Sequence, residues 1–245
     1  MLNFNVSPYY DDFDPTKNYH RILFKPGSAV QARELTQAQT ILQNQISNFA
    51  DNIFSQNTPV SGGKVTTNLN CNYIKLNFTY NNASITASDF NGKIIQDSTG
   101  TILAKVIATA EAQGSSLAEG DPPTLIVSYL SGSHFTDGML ITPTDGTNLF
   151  ATSMGTVGGT TSVGKSSVAS ISNGVFYVIN GYNQVTNNGT TTKFSIGNFV
   201  NVFSQTVILD KYDSTPSLRV GLNIVESTIT YASDTSLLDP AKIGR

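Results

Sequence analysis

The stretch SAVQARELTQAQTILQNQISNFADNIFS, residues 28–55, contains neither glycine nor proline, whereas both are frequent on either side of it. Ser28 can accept a hydrogen bond from a free N–H group of a first helical turn. An uninterrupted run of this length predicts an α-helix over residues 28–56. We expect it to be the chain's only long helix, because no later segment is equally free of helix breakers.

An apolar stripe runs along this predicted helix with the spacing of a coiled coil. Residues seven positions apart share one helix face, and two such sets interleave here. The candidate interface residues are Leu35, Gln39, Leu42, Ile46, Phe49 and Ile53. A single polar residue in such a seam, here Gln39, commonly fixes the register of a bundle. The stripe indicates either packing against the chain's own strands or a self-associating bundle.

The segment before the helix, residues 1–27, is of a different kind. Pro8, Pro15, Pro26 and Gly27 interrupt it, so it suits neither a regular helix nor a central strand. It also carries more apolar surface than a solvated tail. We therefore predict an extended arm that docks on its own domain or on a neighbouring protein. Its candidate anchoring residues are Tyr9, Tyr10, Phe13, Tyr19 and Phe24.

The sequence after Pro59 consists of strand-like segments separated by turn residues. These segments are rich in Val, Ile, Thr, Tyr and Phe, and parts of them alternate with period two. The predicted strands are YIKLNFTY (73–80), TILAKVIATA (101–110), TLIVSYL (124–130), SVASISNGVFYVING (167–181), FVNVFSQTVILDKY (199–212) and LRVGLNIVESTITYA (218–232). The predicted fold is therefore mainly β, with antiparallel β domains that follow the extended arm and one long N-terminal α-helix.

The distribution of turn residues also suggests how the β part is divided. The sequence DPP at 121–123 and a glycine-rich end punctuate residues 86–157, which we predict to be a small inserted β domain. The main β domain would then consist of residues 57–85 together with residues 158–245.

Composition excludes several classes of partner. Charged residues make up 13% of the 245-residue chain, about half the usual share, and the net charge is −3. No dense run of Lys or Arg is present, so nucleic acid is not an expected partner. No apolar run approaches the ~20 residues of a membrane span, so membrane insertion is not expected. The N-terminus lacks the basic start and apolar core of an export signal, which indicates synthesis in a cytoplasm.

One motif suggests nucleotide hydrolysis. The segment GGTTSVGKSS (158–167) has the spacing of a P-loop, and VILD (207–210) is similar to the strand whose carboxylate holds magnesium in such enzymes. A working P-loop requires a helix directly after its Lys and Ser, because the N–H groups at the helix start hold the phosphates. Here the following residues alternate like a strand. We therefore expect residues 155–167 to be a flexible loop that leads into a strand.

No other arrangement of residues indicates catalysis. His20 and His134 are too far apart to form a local metal motif, and His134 is expected in a loop. The single cysteine, Cys71, is expected to be a small buried side chain. The acidic run DDFD at 11–14 is compatible with a cation site, although a solvated acidic turn is the commoner form. We predict no catalytic residue, no cofactor and no metal, and we do not expect an enzyme.

The segment SPYYDDFDPTKNYHRILFKPGSAVQARELTQAQTILQNQI (7–46), followed by VSGG (60–63), resembles the N-terminal signature of a domain of unknown function in tail and baseplate structural proteins of bacteriophages, including cyanophages. The stretches GVFYVINGY (174–182), 199–227 and SLLDPA (236–241) are similar to the same family. The resemblance is weakest over 83–165. In that family further sequence usually follows LLDP, which implies that the chain is part of a longer polypeptide.

The resemblance implies a structural role in the virion, as a component of the tail, the baseplate or a tail-fibre connector. The implied partners are further copies of the chain and other tail or baseplate proteins, and no catalytic residue is carried over. A trimer would match the three-fold symmetry common in tail fibres. The alternative is a module that binds a host receptor or a glycan. Exposed aromatic residues clustered on the β domain would favour that alternative, whereas aromatics at contacts between chains would favour a connector.

Overall fold

The computed structural model describes residues 4–154, 163–187 and 190–238. The chain is mainly antiparallel β with one long helix near the N-terminus, which confirms the predicted fold class. It divides into two compact units. The helical unit comprises Met1–Gly62, Gly174–Val202 and Gly221–Arg245, and the sheet unit comprises Gly63–Asn173 and Phe203–Val220.

The helix, α1, extends over Ala32–Ala50 and is therefore shorter than predicted at both ends. It starts after Gln31, whose N–H group donates to Glu34 Oε2 at 3.0 Å. Ser28 is not the cap, because its own N–H group donates to the carbonyl of Lys25 in a turn formed around Gly27 at a φ of 81°. A glycine reaches this left-handed conformation without the strain that a side chain would add.

The strands of the described residues range from two to 14 residues, and all pairs between them are antiparallel. In chain order they are β1 (Thr58–Gly62), β2 (Val65–Lys75), β3 (Thr79–Tyr80), β4 (Ala83–Ser84), β5 (Ile94–Gln96), β6 (Leu103–Ala110), β7 (Thr124–Ser131), β8 (Leu140–Pro143), β9 (Ala151–Thr152), β10 (Val163–Ile171), β11 (Gly174–Asn187), β12 (Thr190–Val202) and β13 (Gln205–Asp210).

The helical unit contains a three-stranded sheet in the order β1-β11-β12, with α1 packed next to β12. All pairs in this sheet are antiparallel. Tyr177 on β11 and Ile196 on β12 are almost completely buried, as are Ile41 and Ala50 on α1. These side chains form the core of the unit, and each fully buried Ile contributes about 1.5–3 kcal/mol.

The sheet unit contains a curled eight-stranded sheet in the order β13-β10-β2-β7-β6-β5-β8-β9. Its central strands are buried on both faces. On β7, Leu125 and Val127 point into one core cluster, whereas Ile126 points into the other. The second cluster also joins Ala108 of β6 to Ile208 of β13, so these two strands approach each other, with Cα atoms within 8 Å, without pairing.

The sheet continues across the predicted domain boundaries. Residues 86–157 supply β5 to β9. Of these strands β7 pairs with β2, so all five belong to the eight-stranded sheet and form no separate sheet. The predicted strand 167–181 is two strands, β10 and β11, which belong to different units. The predicted strand 199–212 is likewise divided, into β12 and β13. In both cases two residues, Ser172-Asn173 or Phe203-Ser204, separate the strands.

The predicted strand at 218–232 is wrong. Residues 216–230, which we call the tail segment, lie in no helix or strand, and none of the described strands pairs with them. Alternating apolar residues favour a strand only where a sheet edge accepts the backbone and a face accepts the side chains. In the described part of this chain, the tail segment joins no sheet edge.

Candidate interaction surfaces

The six predicted interface residues of α1 lie together on its solvent side. Leu35, Leu42, Ile46, Phe49 and Ile53 are between 46 and 70% exposed, and Gln39 is exposed as well. Ile53 lies in the turn that continues α1, where its N–H group donates to the carbonyl of Ala50. We call this set the seam. The structure therefore brings the candidate residues together but leaves them without cover in the single chain.

A different face of α1 packs against the sheet of the helical unit. It includes Ser47 and Ala50, each at most 2% exposed. Each of these residues directly follows a seam residue, and neighbouring residues are about 100° apart around a helix. Packing on the chain's own strands therefore uses a face beside the seam, not the seam itself.

A buried hydrogen-bond network fixes α1 on the sheet. Ser47 Oγ accepts from the N–H group of Gly197 at 2.7 Å, and the Tyr177 hydroxyl donates to Asp51 Oδ1 at 2.6 Å. A Cβ atom on Gly197 would lie 1.7 Å from Tyr177 Oη, so only glycine fits there. Burial, and then the Asp51 carboxylate, raise the pKa of Tyr177. Because this network fixes the orientation of the helix, it also fixes the direction of the seam.

The N-terminal arm lies along α1 and is held by two carboxylates. The Thr40 hydroxyl and the N–H group of Phe13, at 3.1 Å, both donate to buried Asp11. Asp12 pairs with Arg33 at 3.5 Å. Burial raises the pKa of Asp11, and the hydrogen bond from Thr40 opposes this shift. The arm therefore docks on its own helix, which was one of the two predicted alternatives.

The five candidate anchoring residues of the arm separate into two groups. Tyr9, Tyr10, Tyr19 and Phe24 are exposed, with 38 to 60% of their surface open to solvent. Phe13 is only 3% exposed, so it holds the arm to the helical unit and offers no surface to another protein. Sequence reasoning missed Asp11 and Asp12 as docking groups. The sequence signal that could have revealed them is the presence of Arg33 and Thr40 on the helix, which can pair with Asp12 and Asp11.

The P-loop motif lies in a strand. Gly164, Lys165 and Ser166 belong to β10, and no helix follows them. Ser166 is completely buried, and its hydroxyl donates to the carbonyl of Asp210 at 2.9 Å. Residues 163–167 were expected in a flexible loop, and that part of the prediction is wrong, because β2 and β13 pair with β10 on both sides. Residues 155–162 lie outside the described residues.

The remaining candidate chemical groups are structural. Cys71 is buried, as expected, and the exposed ring of His134 lies against Tyr129 with the ring centroids 4.5 Å apart. Within the described ranges, no group of three His, Cys, Asp or Glu residues is placed to hold a metal ion. Over those same residues, no helix has both the length and the apolar character needed to cross a bilayer.

Sequence reasoning gave no sign of a cleft of about 840 Å³ in the sheet unit. It lies beside Gln205–Ile208 of β13, and Ile107–Thr109 of β6 form another wall. Serine and threonine hydroxyl groups line much of it, and among the described residues of its lining only Lys64 is charged. The strands that form the cleft are distant in sequence, so no local pattern could have revealed it.

The chain leaves β13 through a cluster of charged and aromatic groups. Tyr212 donates through its hydroxyl to Asp121 Oδ2 at 2.6 Å, and Lys211 Nζ lies 3.0 Å from the same oxygen. Lys75 Nζ lies 4.2 Å from the centre of the Tyr212 ring, within cation–π distance. Burial, and then Asp121, raise the pKa of Tyr212. This cluster holds the chain in place directly after β13, a few residues before the tail segment begins.

Comparison with known proteins finds one family. Residues 7–83 match a model described as a domain of unknown function, DUF4815. No curated protein and no solved structure gives a significant match to the chain. The matched residues include residues 7–27 of the arm, the seam of α1, and strands β1 and β2. Both candidate surfaces of the helical unit therefore lie within the matched region.

Proposed function

We propose that this chain is a structural component of a bacteriophage tail or baseplate, or a connector of a tail fibre. In this role it self-associates through the seam of α1 and attaches to neighbouring virion proteins through its arm. The observation that carries the proposal is the exposed seam, since large apolar residues at regular spacing otherwise remain in water. The resemblance of residues 7–46 to phage tail proteins supplies the biological setting.

The composition of the seam suits association between copies. Its six positions alternate in steps of four and three residues, and five of them are apolar. Complete burial of a Leu, Ile or Phe side chain contributes about 1.5–3 kcal/mol, and roughly half of that gain remains available where half of the side chain is already covered. No charged residue occurs between Leu35 and Ala50, so copies can approach without like-charge repulsion along the helix.

We favour a trimer as the assembled form. A helix with a single apolar stripe buries it most completely in a closed bundle, and Gln39 supplies one polar layer that sets the register. Three-fold symmetry would also suit a fibre or spike attached to a tail. In this assembly the three copies of α1 surround the three-fold axis with their seams toward it, and the sheets of the helical units lie outside them.

The arm provides the second contact of the proposed role. Asp11, Asp12 and Phe13 hold it on α1, while Tyr9, Tyr10 and Tyr19 remain exposed. A docked segment loses little further conformational entropy when it binds a partner, since its backbone is already ordered. Exposed tyrosines on such a segment supply large contact area with a polar end, which is typical of hot spots at interfaces.

A receptor-binding or glycan-binding module is the second candidate. It is favoured by Tyr80 and Phe150 in the sheet unit, which stack with centroids 5.8 Å apart at an angle of 19°. Most exposed aromatic residues lie elsewhere, in the helical unit. They are Tyr9, Tyr10, Tyr19, Phe24, Phe49, Phe199 and Tyr231. This distribution suits contacts between chains better than a sugar platform.

Sedimentation and light scattering of the purified chain test the proposal. We expect a trimer that dissociates to monomers in the variant Leu42→Glu, because the variant places a charge in the seam. The matched control is Gln43→Glu, which adds the same charge at the neighbouring exposed position and should remain a trimer. A wild-type chain that stays monomeric at high concentration contradicts self-association, and equal behaviour of the two variants contradicts the seam.

A further inference from the structure

The tail segment has the side-chain pattern of a strand without having a sheet. Leu218, Val220, Leu222 and Ile224 alternate along it, and they are 39 to 57% exposed. Side chains with this alternation lie on one face when the backbone is extended. A segment of this kind buries its apolar face when its backbone joins the edge of a sheet and that face packs against a neighbouring surface.

Most sheet edges in the described residues are protected against such an addition. Strand β9 has only two residues, and β1 contains Pro59 together with a shift of register. At the edge of β12, the N–H group of Gly197 is already bonded to Ser47 of α1. Short strands, prolines and covering helices are the usual devices that block edge pairing.

Strand β13 has none of these protections. Its six residues, QTVILD, include no proline and no lysine, and it pairs only with β10. Val207 is 48% exposed, and the cleft of about 840 Å³ lies beside Gln205–Ile208. Hydroxyl groups in the cleft, such as those of Thr66 and Ser172, can satisfy the backbone of an extended chain. The geometry is that of a site for an added strand.

Charge determines the orientation in which the tail segment fits. Asp210 ends β13, and Lys64 lies in the cleft lining near the start of β13. The tail segment carries Arg219 near its beginning and Glu226 toward its end. An antiparallel addition brings Arg219 to Asp210 and Glu226 toward Lys64, whereas a parallel addition brings like charges together at both ends.

The donor of the strand is a second copy of the chain. After Asp210 the chain turns over the paired side of β13, where the carbonyl of Asp213 accepts from Ser167 Oγ at 2.8 Å. The ring of Tyr212 then packs on Tyr73 of β2, with centroids 4.8 Å apart. Both contacts lie on the paired side of β13, so the chain approaches the tail segment from the side opposite to the open edge of its own β13.

We propose that the tail segment of one copy adds as an antiparallel strand to β13 of another copy. This exchange rests on the proposed self-association and gives the copies a second contact, independent of the seam. It explains why an alternating apolar segment is exposed and why one sheet edge is unprotected. In the assembly, the tail segment covers the unprotected edge of β13, and β13 in turn covers the apolar face of the tail segment.

Disulfide trapping tests the proposal with the full chain. Two variants, Asp210→Cys and Arg219→Cys, carry tags of different size, and they are mixed and oxidised. Cys71 is buried and serves as a silent background. We expect a covalent heterodimer at least tenfold more abundant than that from Gln205→Cys mixed with Arg219→Cys. The reverse ratio overturns the antiparallel orientation, and absence of both heterodimers overturns the exchange.

Two further measurements complete the test. The double variant Asp210→Cys/Arg219→Cys should form no intrachain disulfide at high dilution, and formation of one shows pairing within a chain and overturns the exchange. Amide hydrogen exchange of Gln205–Asp210 should become faster by at least tenfold in the variant Val220→Pro, and unchanged exchange also overturns it. A wild-type trimer without any of these signals leaves the seam intact, whereas a wild-type monomer removes both proposals.

Discussion

The two faces of α1 differ in the size of their side chains. The packed face carries the small residues Ser47 and Ala50, which let the helix approach β12 closely at Gly197. The seam beside it carries Leu42 and Phe49, which extend into solvent. Close approach to a backbone requires small residues, whereas contact between helices is served by large ones. The most apolar face of the helix is therefore not the face that holds the fold together.

Gly197→Ala should cause the largest loss of stability, because it adds a methyl group where the packed face of α1 meets the sheet. The new Cβ atom would lie 1.7 Å from Tyr177 Oη, so the helix and the sheet must separate. We expect a loss of at least about 3 kcal/mol in the free energy of unfolding, measured by urea denaturation. The control is Gly221→Ala, where no atom lies within 4 Å. Equal midpoints for the two variants would contradict the packing described here.

Truncation of two adjacent residues, buried Ile41 and exposed Leu42, separates the buried side of the helix from the seam. Ile41→Ala should cost about 2–5 kcal/mol in the free energy of unfolding, because it leaves a cavity in a closed core. Leu42→Ala should change the same quantity in the monomer by about 0.5 kcal/mol or less, as for other exposed sites. It should weaken self-association in sedimentation instead. Similar unfolding energies for both variants would show that the seam is covered within the single chain.

The docking of the arm should make the free energy of unfolding depend on pH, with a smaller effect than the truncations above. The pKa of Asp11 is raised in the folded state, so its contribution to stability is present at low pH and is lost as the pH rises through that pKa. Asp14 has the opposite shift, since hydrogen bonds from Thr16 lower its pKa, and its contribution is lost as the pH falls.

The measurement is the free energy of unfolding from pH 3 to pH 7 in the variants Asp11→Asn and Asp14→Asn. Removal of Asp11 should eliminate a component that falls with rising pH, and removal of Asp14 should eliminate one that rises. If the pH dependence of stability changed with the same sign in both variants, this would contradict the burial of Asp11 against α1.

Lys165→Ala should give the smallest effect. Its side chain is exposed on β10, in a motif whose neighbouring Ser166 is bonded to the backbone of β13. We expect unfolding midpoints and the assembled mass to remain as in the wild type. Saturable, magnesium-dependent binding of ATP that disappears in this variant would contradict a purely structural role of the motif.

Much of the fold could be predicted from local pattern. The segments TILAKVIATA and TLIVSYL fall on β6 and β7 almost residue for residue, because both are apolar runs with clear turn residues at their ends. The helix start was misplaced by Ser28, which belongs to a turn at Gly27. Pairs such as Ser172-Asn173 are too short to indicate that a chain moves from one sheet to another.

The surfaces were predictable only in part. The seam could be identified because helical spacing is periodic, and its residues do share one face. The burial of Phe13 could not, since it depends on the docking of the arm on a helix that it meets in space, where Thr40 bonds Asp11. The open edge of β13 could not either, because strand order is set by contacts between residues far apart in sequence.

The cluster around Tyr212 has a mechanical consequence for a chain that is pulled. Tension applied to the C-terminal part would first reach Lys211 and Tyr212, which are tied to Asp121 before β7 and packed on β2. The load would then be shared by several strands in shear, instead of unzipping β13 one hydrogen bond at a time. A pulled chain would thus strain the interior of the sheet before its outermost strand.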